Sequence, residues 1–412
     1  MELAGRRGQG PSATLPAAWA VRPLSDLADR IMVGIASAAT HAYRARGVPM
    51  FRNQNIRAGA LDDRDLLFID PLFELAFKNK RLKGGDLLTA RTGYPGTTCI
   101  VPPHYGSAQS FTTLITRPKP SSINATYLCY YINSEQGQRF FNHTEIGGAQ
   151  KNVNAATLRG MPIALPPLSE QAAISEALSD VDGLIGALDR LIDKKRDLKQ
   201  AAMQQLLTGR TRLPGFKGKW EAKRLGDVVD TDPENLGTST PRDLLFNYIA
   251  LEDVDRGTLR SFSQQVLRSA PLRARRNLRD GDVLISTVRP NLQSHLLFRS
   301  MPGVWVCSTG FCVIRCRENA TYPAFICSHF FGHEVNRQIE ALLTGSNYPS
   351  INSADVRALS MMLPPFEEQA AIAQVLSDMD ADIAALESRR DKTRLLKQGM
   401  MQELLTGRTR LT

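Results

Sequence analysis

The sequence predicts an α+β protein made by tandem duplication: two mixed α/β domains, each followed by a long helix, with the two helices packed together as a coiled coil. Three observations carry that expectation. Leu165–Leu213 and Leu363–Leu411 align without a gap at an offset of 198 residues and are identical at 31 of 49 positions, a period far too long for a solenoid. Inside each copy the apolar residues alternate steps of four and three, the seam of a paired helix. The stretches 15–164 and 214–362 instead show short apolar runs broken by glycine and turn residues, the pattern of short strands.

Each repeat carries its own start and stop. Pro166–Pro167 and Pro364–Pro365 force an extended entry, because a residue before proline avoids the helical region. Glu170, Glu367 and Glu368 fall in the first turn, where the helix dipole favours negative charge. Gly209 and Gly407 follow the last apolar residues as left-handed caps, with Arg210, Arg212, Arg408 and Arg410 at the negative end. Between these signals the expected seam is Ile174, Leu178, Val181, Ile185, Leu188 and Ile192 in one copy and Ile372, Leu376, Met379, Ile383 and Leu386 in the other. The simplest partner for one repeat is the other. Gly183 and Gly186, matched by Ala381 and Ala384, suggest a close approach of backbones there.

In chain order, residues 1–14 read as a loose tail and 15–164 as the first domain. A short helix or turn is expected near Leu24 and Leu27, then strands at Leu66–Ile69, Asp86–Thr89, Cys99–Val101 and Phe111–Ile115, and a helix over Ala125–Phe141. Residues 165–213 are the first long helix, 214–362 the second domain and 363–412 the second long helix. The second domain echoes the first: Trp220 follows Trp19, Gly281–Asp282–Val283–Leu284 follows Gly85–Asp86–Leu87–Leu88, Ala320–Thr321–Tyr322 follows Ala125–Thr126–Tyr127, and Gly345–Tyr348 follows Gly147–Gln150. One fold with divergent surfaces, beside nearly identical helices, implies a common partner for the helices and different ones for the domains.

Charge and composition narrow the chemistry. Of the net charge of +10, residues 1–164 contribute 19 Lys/Arg against 11 Asp/Glu and residues 214–362 contribute 18 against 15, whereas the repeats hold 7 against 7 and 7 against 8. The basic excess therefore belongs to the domains, and a polyanion such as nucleic acid is the partner this favours. No apolar run is long enough to span a bilayer, and prolines interrupt any signal-peptide core near the N-terminus, so a soluble, cytoplasmic protein is expected. The six cysteines do not form a disulfide framework. Cys312, Cys316, Cys327, His329 and His333 are close in sequence, but on a strand Cys312 and Cys316 would stand about 13 Å apart at 3.3 Å per residue, too far for one tetrahedral ion. There is no GxGxxG or GxxxxGK[ST], and no His lies in a recognisable nucleophile motif.

The paired openings LPPLSEQAAI and LPPFEEQAAI, the closing LLTGRTRL and a domain before each repeat resemble the DNA specificity subunit of type I restriction-modification enzymes. The resemblance covers residues 15–412. It implies that each domain is a target-recognition domain reading one half of a split double-stranded DNA sequence. It also implies that the helices pack antiparallel, with pseudo-twofold symmetry, as a spacer that docks two modification subunits. Methylation and ATP-driven cleavage would belong to the modification and restriction subunits, with S-adenosylmethionine, ATP and Mg, leaving this chain non-catalytic and without a cofactor or metal. In keeping with that, the Pro-Pro pairs are preceded by Leu165 and Leu363 rather than the Asn or Asp that an amino-methyltransferase uses.

Base reading calls for Arg, Asn, Gln or Lys at base edges and further polar groups on phosphates. Two matched loop pairs offer them: Arg91, Thr92 and Tyr94 with Thr287, Arg289 and Asn291, and Gln150 and Lys151 with Ser346, Asn347 and Tyr348. Arg44, Arg46, Arg52 and Asn53 in the first domain, and Arg273, Arg275 and Arg276 in the second, complete the candidates. The helices and divergent domains are also compatible with a coiled-coil adaptor that binds only proteins. A free-standing nuclease or methyltransferase lacks the motifs it would need.

Overall fold

The computed structural model describes residues 15–37, 39–143, 153–343 and 349–411. The chain divides into two compact units, one of residues 1–188 with 389–412 and the other of residues 189–388. Each unit thus holds one domain, the beginning of the helix that follows it, and the end of the other long helix. The helices run over Leu168–Leu206 and Phe366–Leu404, and Gly209 and Gly407 after them are left-handed at φ +69° and +73°, as the sequence predicts.

The first domain is two four-stranded sheets. One is antiparallel throughout, in the order Ala28–Val33, Leu114–Pro118, Leu87–Thr89, Thr98–Ile100. Alternation along these strands sends Leu87 and Leu114 into a core with the helix Ala125–Asn133 and Leu88, Cys99 and Ile115 into a second core on the other face. The second sheet runs Gln109–Ser110, Val48–Phe51, Leu67–Ile69, Tyr43–Arg44, its first pair parallel. Ala20–Pro23 pairs with Pro162–Leu165 just before the long helix, so the domain's two ends leave together. The expected single helix over Ala125–Phe141 is instead two, Ala125–Asn133 and Glu135–His143. Ser134 is extended (ψ 165°), its hydroxyl donating to the Tyr131 carbonyl and accepting from the Gly137 amide. A Cβ on Gly137 would lie 2.3 Å from the Ile132 carbonyl oxygen, so the close break needs glycine.

The second domain repeats the antiparallel sheet as Val229–Thr231, Phe311–Cys316, Val283–Ser286, Leu296–Leu297. Its other sheet shares only part of its plan with the first domain's. Trp305–Ser308 and Leu245–Ile249 pair parallel and Ser263–Val266 follows antiparallel, matching three strands of the first domain. The fourth strand, Ala274–Asn277, joins the Trp305–Ser308 edge, whereas Tyr43–Arg44 joins the opposite edge in the first domain. The domains are one fold with different edge strands.

The echoed Gly-Asp-apolar-apolar stretches have a structural cause. Asp86 is buried, receives the Lys83 amide at 2.8 Å and pairs with Nε and Nη2 of Arg117 at 2.8 and 2.7 Å. Asp282 does the same with the Arg279 amide and Arg315. The Ala320–Thr321–Tyr322 echo needs correction. Gln171 accepts from the Asn124 amide and Gln369 from the Tyr322 amide, so Tyr322 stands where Asn124 does, three residues from the proposed match. The echo at 147–150 and 345–348 lies outside the described residues.

The glutamates of the repeats are not merely first-turn charges. In the first unit Glu170 is 3% exposed; Arg410 donates to both its carboxylate oxygens at 2.5 and 2.7 Å, and the Trp19 indole donates at 3.0 Å. In the second, Glu368 is fully buried, with Arg212 at 2.5 and 2.9 Å and Trp220 at 3.2 Å. Burial works against ionisation of Glu170, but Arg410 and Trp19 hold its carboxyl below the usual carboxylate range. Further along, Lys397 meets Asp182 at 2.7 Å and Lys199 meets Asp380 at 2.5 Å. Within each unit, then, the start of one long helix runs antiparallel to the end of the other. Ile174 and Leu178 pack with Leu404, Leu405 and the first domain's core, and Ile372 and Leu376 with Met203, Leu206 and Leu207. Leu188, Ile192 and Ile383 are buried, while Val181, Ile185, Met379 and Leu386 are half-buried. Gly183 contradicts the close-approach reading: a Cβ there would meet nothing within 4 Å.

Glu170→Gln should lower the stability of the first unit by roughly 2–3 kcal/mol, less than for a fully buried pair because Arg410 keeps some solvent contact. Hydrogen exchange followed by mass spectrometry reads this out: faster exchange near Trp19 and Arg410 with 214–362 unchanged is expected, and uniform loosening of both domains would refute it.

Candidate nucleic-acid interface

The two arginine loops leave the same place in the two domains, the end of an inner strand of the antiparallel sheet. In the first domain the strand Leu87–Thr89 ends and Arg91 begins the loop, its amide held by Asn53 Oδ1 at 2.8 Å. Arg91 Nε donates to the Val153 carbonyl at 3.2 Å, and the Val153 amide donates to the Arg91 carbonyl at 3.1 Å. The loop returns through Gly93 and Gly96, both left-handed. A Cβ on Gly96 would strike the Phe141 ring at 2.4 Å. Thr92 is half-buried, and Tyr94 at the tip is 79% exposed. An aromatic ring presented beside arginine on a tight turn suits stacking or wedging against bases.

In the second domain the strand Val283–Ser286 leads into Thr287, whose amide and hydroxyl both donate to the Gly310 carbonyl at 2.8 Å. Val288 bridges to Ser350, and the Arg289 amide donates to Pro349 at 2.8 Å. Arg289 and Gln293 are both left-handed, at φ +49° and +56°, on either side of the turn Pro290–Leu292. Two non-glycine residues in that region cost of order 1–3 kcal/mol each, and such strain concentrates at binding and catalytic sites. Arg289 and Asn291 are exposed, as is Leu292 at 55%.

Each arginine loop is thus pinned to the segment that leaves the second loop of its pair, at Val153 in one domain and at Pro349–Ile351 in the other. Gln150, Lys151, Ser346, Asn347 and Tyr348 themselves lie outside the described residues. The remaining candidates divide by what holds them. Arg46 and Arg273 are exposed and Arg275 half-buried. Arg44 is tied to Asp70 at 2.9 Å and Arg52 to Asp65 at 2.9 Å, and Asn53 spends its amide on the Arg91 loop and on Thr112. Arg276 is the clearest departure from the expectation. It is ion-paired with Asp232 and only 14% exposed, and burial lowers its pKa. Asp232 also receives the Val313 amide and the Ser353 hydroxyl, so that guanidinium serves the domain's interior instead of a phosphate.

Two features were not legible from residue type. Leu292 is an apolar residue on a strained turn, and only its exposure marks it. His295 is fully buried under the second loop, its Nδ1 accepting the Ser286 amide at 3.2 Å. His329 is buried as well, against Phe325. Cys312 and Cys316 lie on one strand, and no cluster that could hold a metal occurs among the described residues.

Each unit also bears a groove beside its long-helix terminus. In the first, of about 530 Å³, Glu135, Gln138 and Arg139 face Met401, Leu405 and Arg408. In the second, of about 630 Å³, Glu334, Arg337 and Gln338 face Met203, Leu207 and Arg210. The helix walls of the two grooves are the same residue types at the 198-residue offset.

Comparison with known proteins agrees with the duplicated plan. The family model described as type I restriction modification DNA specificity domain matches twice, over residues 16–194 and 217–395. The chain belongs to this family. It is a DNA specificity subunit, and its role is sequence-specific DNA binding rather than catalysis. Its relatives in the family include the putative MjaX specificity subunit of Methanocaldococcus jannaschii, 24% identical over 96% of this chain and 95% of that one. The EcoKI specificity subunit of Escherichia coli is 21% identical over 95% and 88%. The S subunit of a type I restriction-modification system from M. genitalium shares the fold at a TM-score of 0.57 and 13% identity, over 96% of this chain and 98% of that one. A chain from a study of assembly and conformational transition in a type I R-M system does so at 0.58 and 18%, over 96% and 99%. No helix among the described residues of this specificity subunit is long and apolar enough to cross a membrane.

Burial depresses both His295 and His329 to about 4, against about 6.5 in an unfolded chain. The unfolded state therefore binds more protons below pH 6.5, and stability falls as pH drops toward 4. Between pH 7.5 and 5 the second domain should lose roughly 1–2 kcal/mol per histidine. The loss should fall on the second domain, which holds both buried rings. Urea unfolding followed by hydrogen exchange at the two pH values checks this.

Proposed function

We propose that this subunit reads a bipartite double-stranded DNA target, each domain contacting one half, with the paired helices fixing the distance between the halves. The observation that carries the reading is the pair of arginine loops at equivalent strand ends, alike in backbone placement and unlike in sequence. Arg91 with Tyr94, and Arg289 with Asn291, are the groups we assign to base edges. Arg46, Arg273 and Arg275 are assigned to phosphates. The domain boundaries we adopt are 15–164 and 214–362 for the target-recognition domains and 165–213 and 363–412 for the spacer helices.

The repeated grooves support a second part of the reading. Two modification subunits of one sequence require two docking sites of one chemistry, and near-identical helix ends supply them. Restriction subunits would join through that complex. S-adenosylmethionine, ATP and Mg belong to those partners.

The test is selection from a randomised duplex pool with the full chain bound to its modification subunits, alongside methylome sequencing of the source genome. A split motif should emerge from both. Arg289→Ala should relax one half and Arg91→Ala the other, each by about 1–3 kcal/mol if the residue contacts a base. Exchanging residues 15–164 for those of a relative should change one half alone. Affinity should also fall steeply with salt, as phosphate contacts require. A selection without any motif, or affinity indifferent to salt, would favour a protein-binding adaptor and sink the reading.

A further inference from the structure

We propose that Asn53 and His295 are positioning residues of the two reading loops, each fixing its loop's backbone through a side-chain acceptor without itself touching DNA. The proposal rests on the assignment of the Arg91 and Arg289 loops as readers, and it goes beyond that assignment by naming what sets their shape.

In the first domain Asn53 Oδ1 accepts the Arg91 amide at 2.8 Å, and its Nδ2 donates to Thr112 Oγ1 at 3.3 Å. Both ends of the amide are engaged inside the domain, so its orientation is set by the Arg91 amide and Thr112. Thr112 is itself held in the left-handed region at φ +54°, its amide donating to the Ile35 carbonyl at 2.9 Å. The chain Ile35–Thr112–Asn53–Arg91 therefore ties the loop's first arginine to the body of the domain.

In the second domain His295 does this from directly beneath. Its Nδ1 accepts the amide of Ser286, the last residue of the strand before the loop. Its own amide donates to Gln293 at 2.7 Å, and its carbonyl receives the Gly257 amide at 2.9 Å. The Ser286 hydroxyl continues the chain to the Val288 carbonyl at 2.7 Å. One buried residue thus joins both stems of the loop that carries Arg289. Its ring lies 5.7 and 5.8 Å from the rings of Phe330 and Phe331, an apolar setting where leucine or phenylalanine would be the ordinary choice. A neutral imidazole that accepts at Nδ1 carries its hydrogen on Nε2, and His295 Nε2 is buried with no hydrogen-bond partner among the described residues. Keeping a histidine there costs the fold an unmet donor, and the Ser286 contact is what it gains. Burial also keeps the ring unprotonated at neutral pH, so the accepting lone pair stays available.

The two holders are unlike residues at unlike places in the chain. Each therefore acts on one loop, and each serves as the other's control. The experiment is selection from a randomised duplex pool with the full chain, wild type, His295→Phe, His295→Asn and Asn53→Ala in parallel, with thermal melting of each. His295→Phe fills the site and cannot accept. It should reduce preference within one half of the motif about tenfold, the size of a lost base contact, and leave the other half intact. Asn53→Ala should do the reverse. His295→Asn, whose Oδ1 can take the Ser286 amide, should recover most of the lost preference. The intact half reports that the other domain is folded, and an unshifted melting transition reports the same of the mutated one. Equal loss in both halves, no loss in either, or an Asn variant as poor as the Phe variant would each overturn the proposal. A wild type that selects no motif would instead remove the reading function beneath it.

Discussion

The structure depends on a buried carboxylate held by one arginine and one tryptophan, made twice. An ionised glutamate taken out of water costs several kcal/mol unless its partners are close and well aligned. Glu170 therefore obliges Arg410 and Trp19 to stay, and Glu368 obliges Arg212 and Trp220. Each set joins three separate pieces of chain: the entry of a domain, the start of the helix that follows it, and the end of the other helix. The neighbouring glutamine completes the joint. Gln171 and Gln369 each accept an amide at the start of a domain helix and donate to the carbonyl of the first proline in the Pro-Pro pair. The Glu-Gln and Gly-Arg-Thr-Arg signatures are one interlock written in two places.

That interlock explains why the helices changed so little between copies. A substitution at the helix start must suit the helix end from the other copy and the tryptophan before it. Gly209 and Gly407 are under the same constraint, since a Cβ on either would press on that entry segment, against Trp220 at 3.1 Å or Pro16 at 2.6 Å. The domains carry no such mutual obligation beyond their own cores. They could diverge at sheet edges, where adding a strand on one side or the other leaves the shared three strands untouched. Arg44 lies on one of those differing strands, and Arg275 and Arg276 lie on the other.

How much of this was readable in advance follows from the range of each interaction. The long helices, their caps and their pairing rest on periodicity and on proline and glycine signals, all local, and Leu168–Leu206 and Phe366–Leu404 sit where those signals place them. The four first-domain strands that were expected lie within a few residues of Leu67–Ile69, Leu87–Thr89, Thr98–Ile100 and Leu114–Pro118, whereas Ala28–Val33 and Val48–Phe51 were not expected. The break at Ser134 was not legible, because Tyr131, Ile132 and Phe140 keep a helical rhythm across it and Gly137 permits the bend without requiring it. Glu170 stands in the first turn as expected, but its buried pair with Arg410 was not legible because that arginine lies 240 residues away. The matched placement of the two arginine loops was visible from residue type and position, and both leave the end of an inner strand. Which arginines are already spent was not: Arg276 and Arg273 look alike in sequence and differ only in the presence of Asp232.

A reader of DNA must satisfy two demands that pull against each other. Its loops must be stiff enough to discriminate, yet replaceable enough that a new target does not require a new protein. Here the stiffness comes from below. The Asp86–Arg117 and Asp282–Arg315 pairs hold the same inner strands in both domains, so each loop departs from an equivalent point whatever its sequence. Above that point the holding contacts differ: two glycines and an asparagine amide on one side, two strained non-glycine residues and a buried imidazole on the other. Left-handed Arg289 and Gln293 are tolerable only because the strand, the Pro349–Ser350 segment and His295 over-determine the turn between them. The frame therefore meets the energetic cost of rigidity once, and the loops vary above it without disturbing the interlocked helix ends.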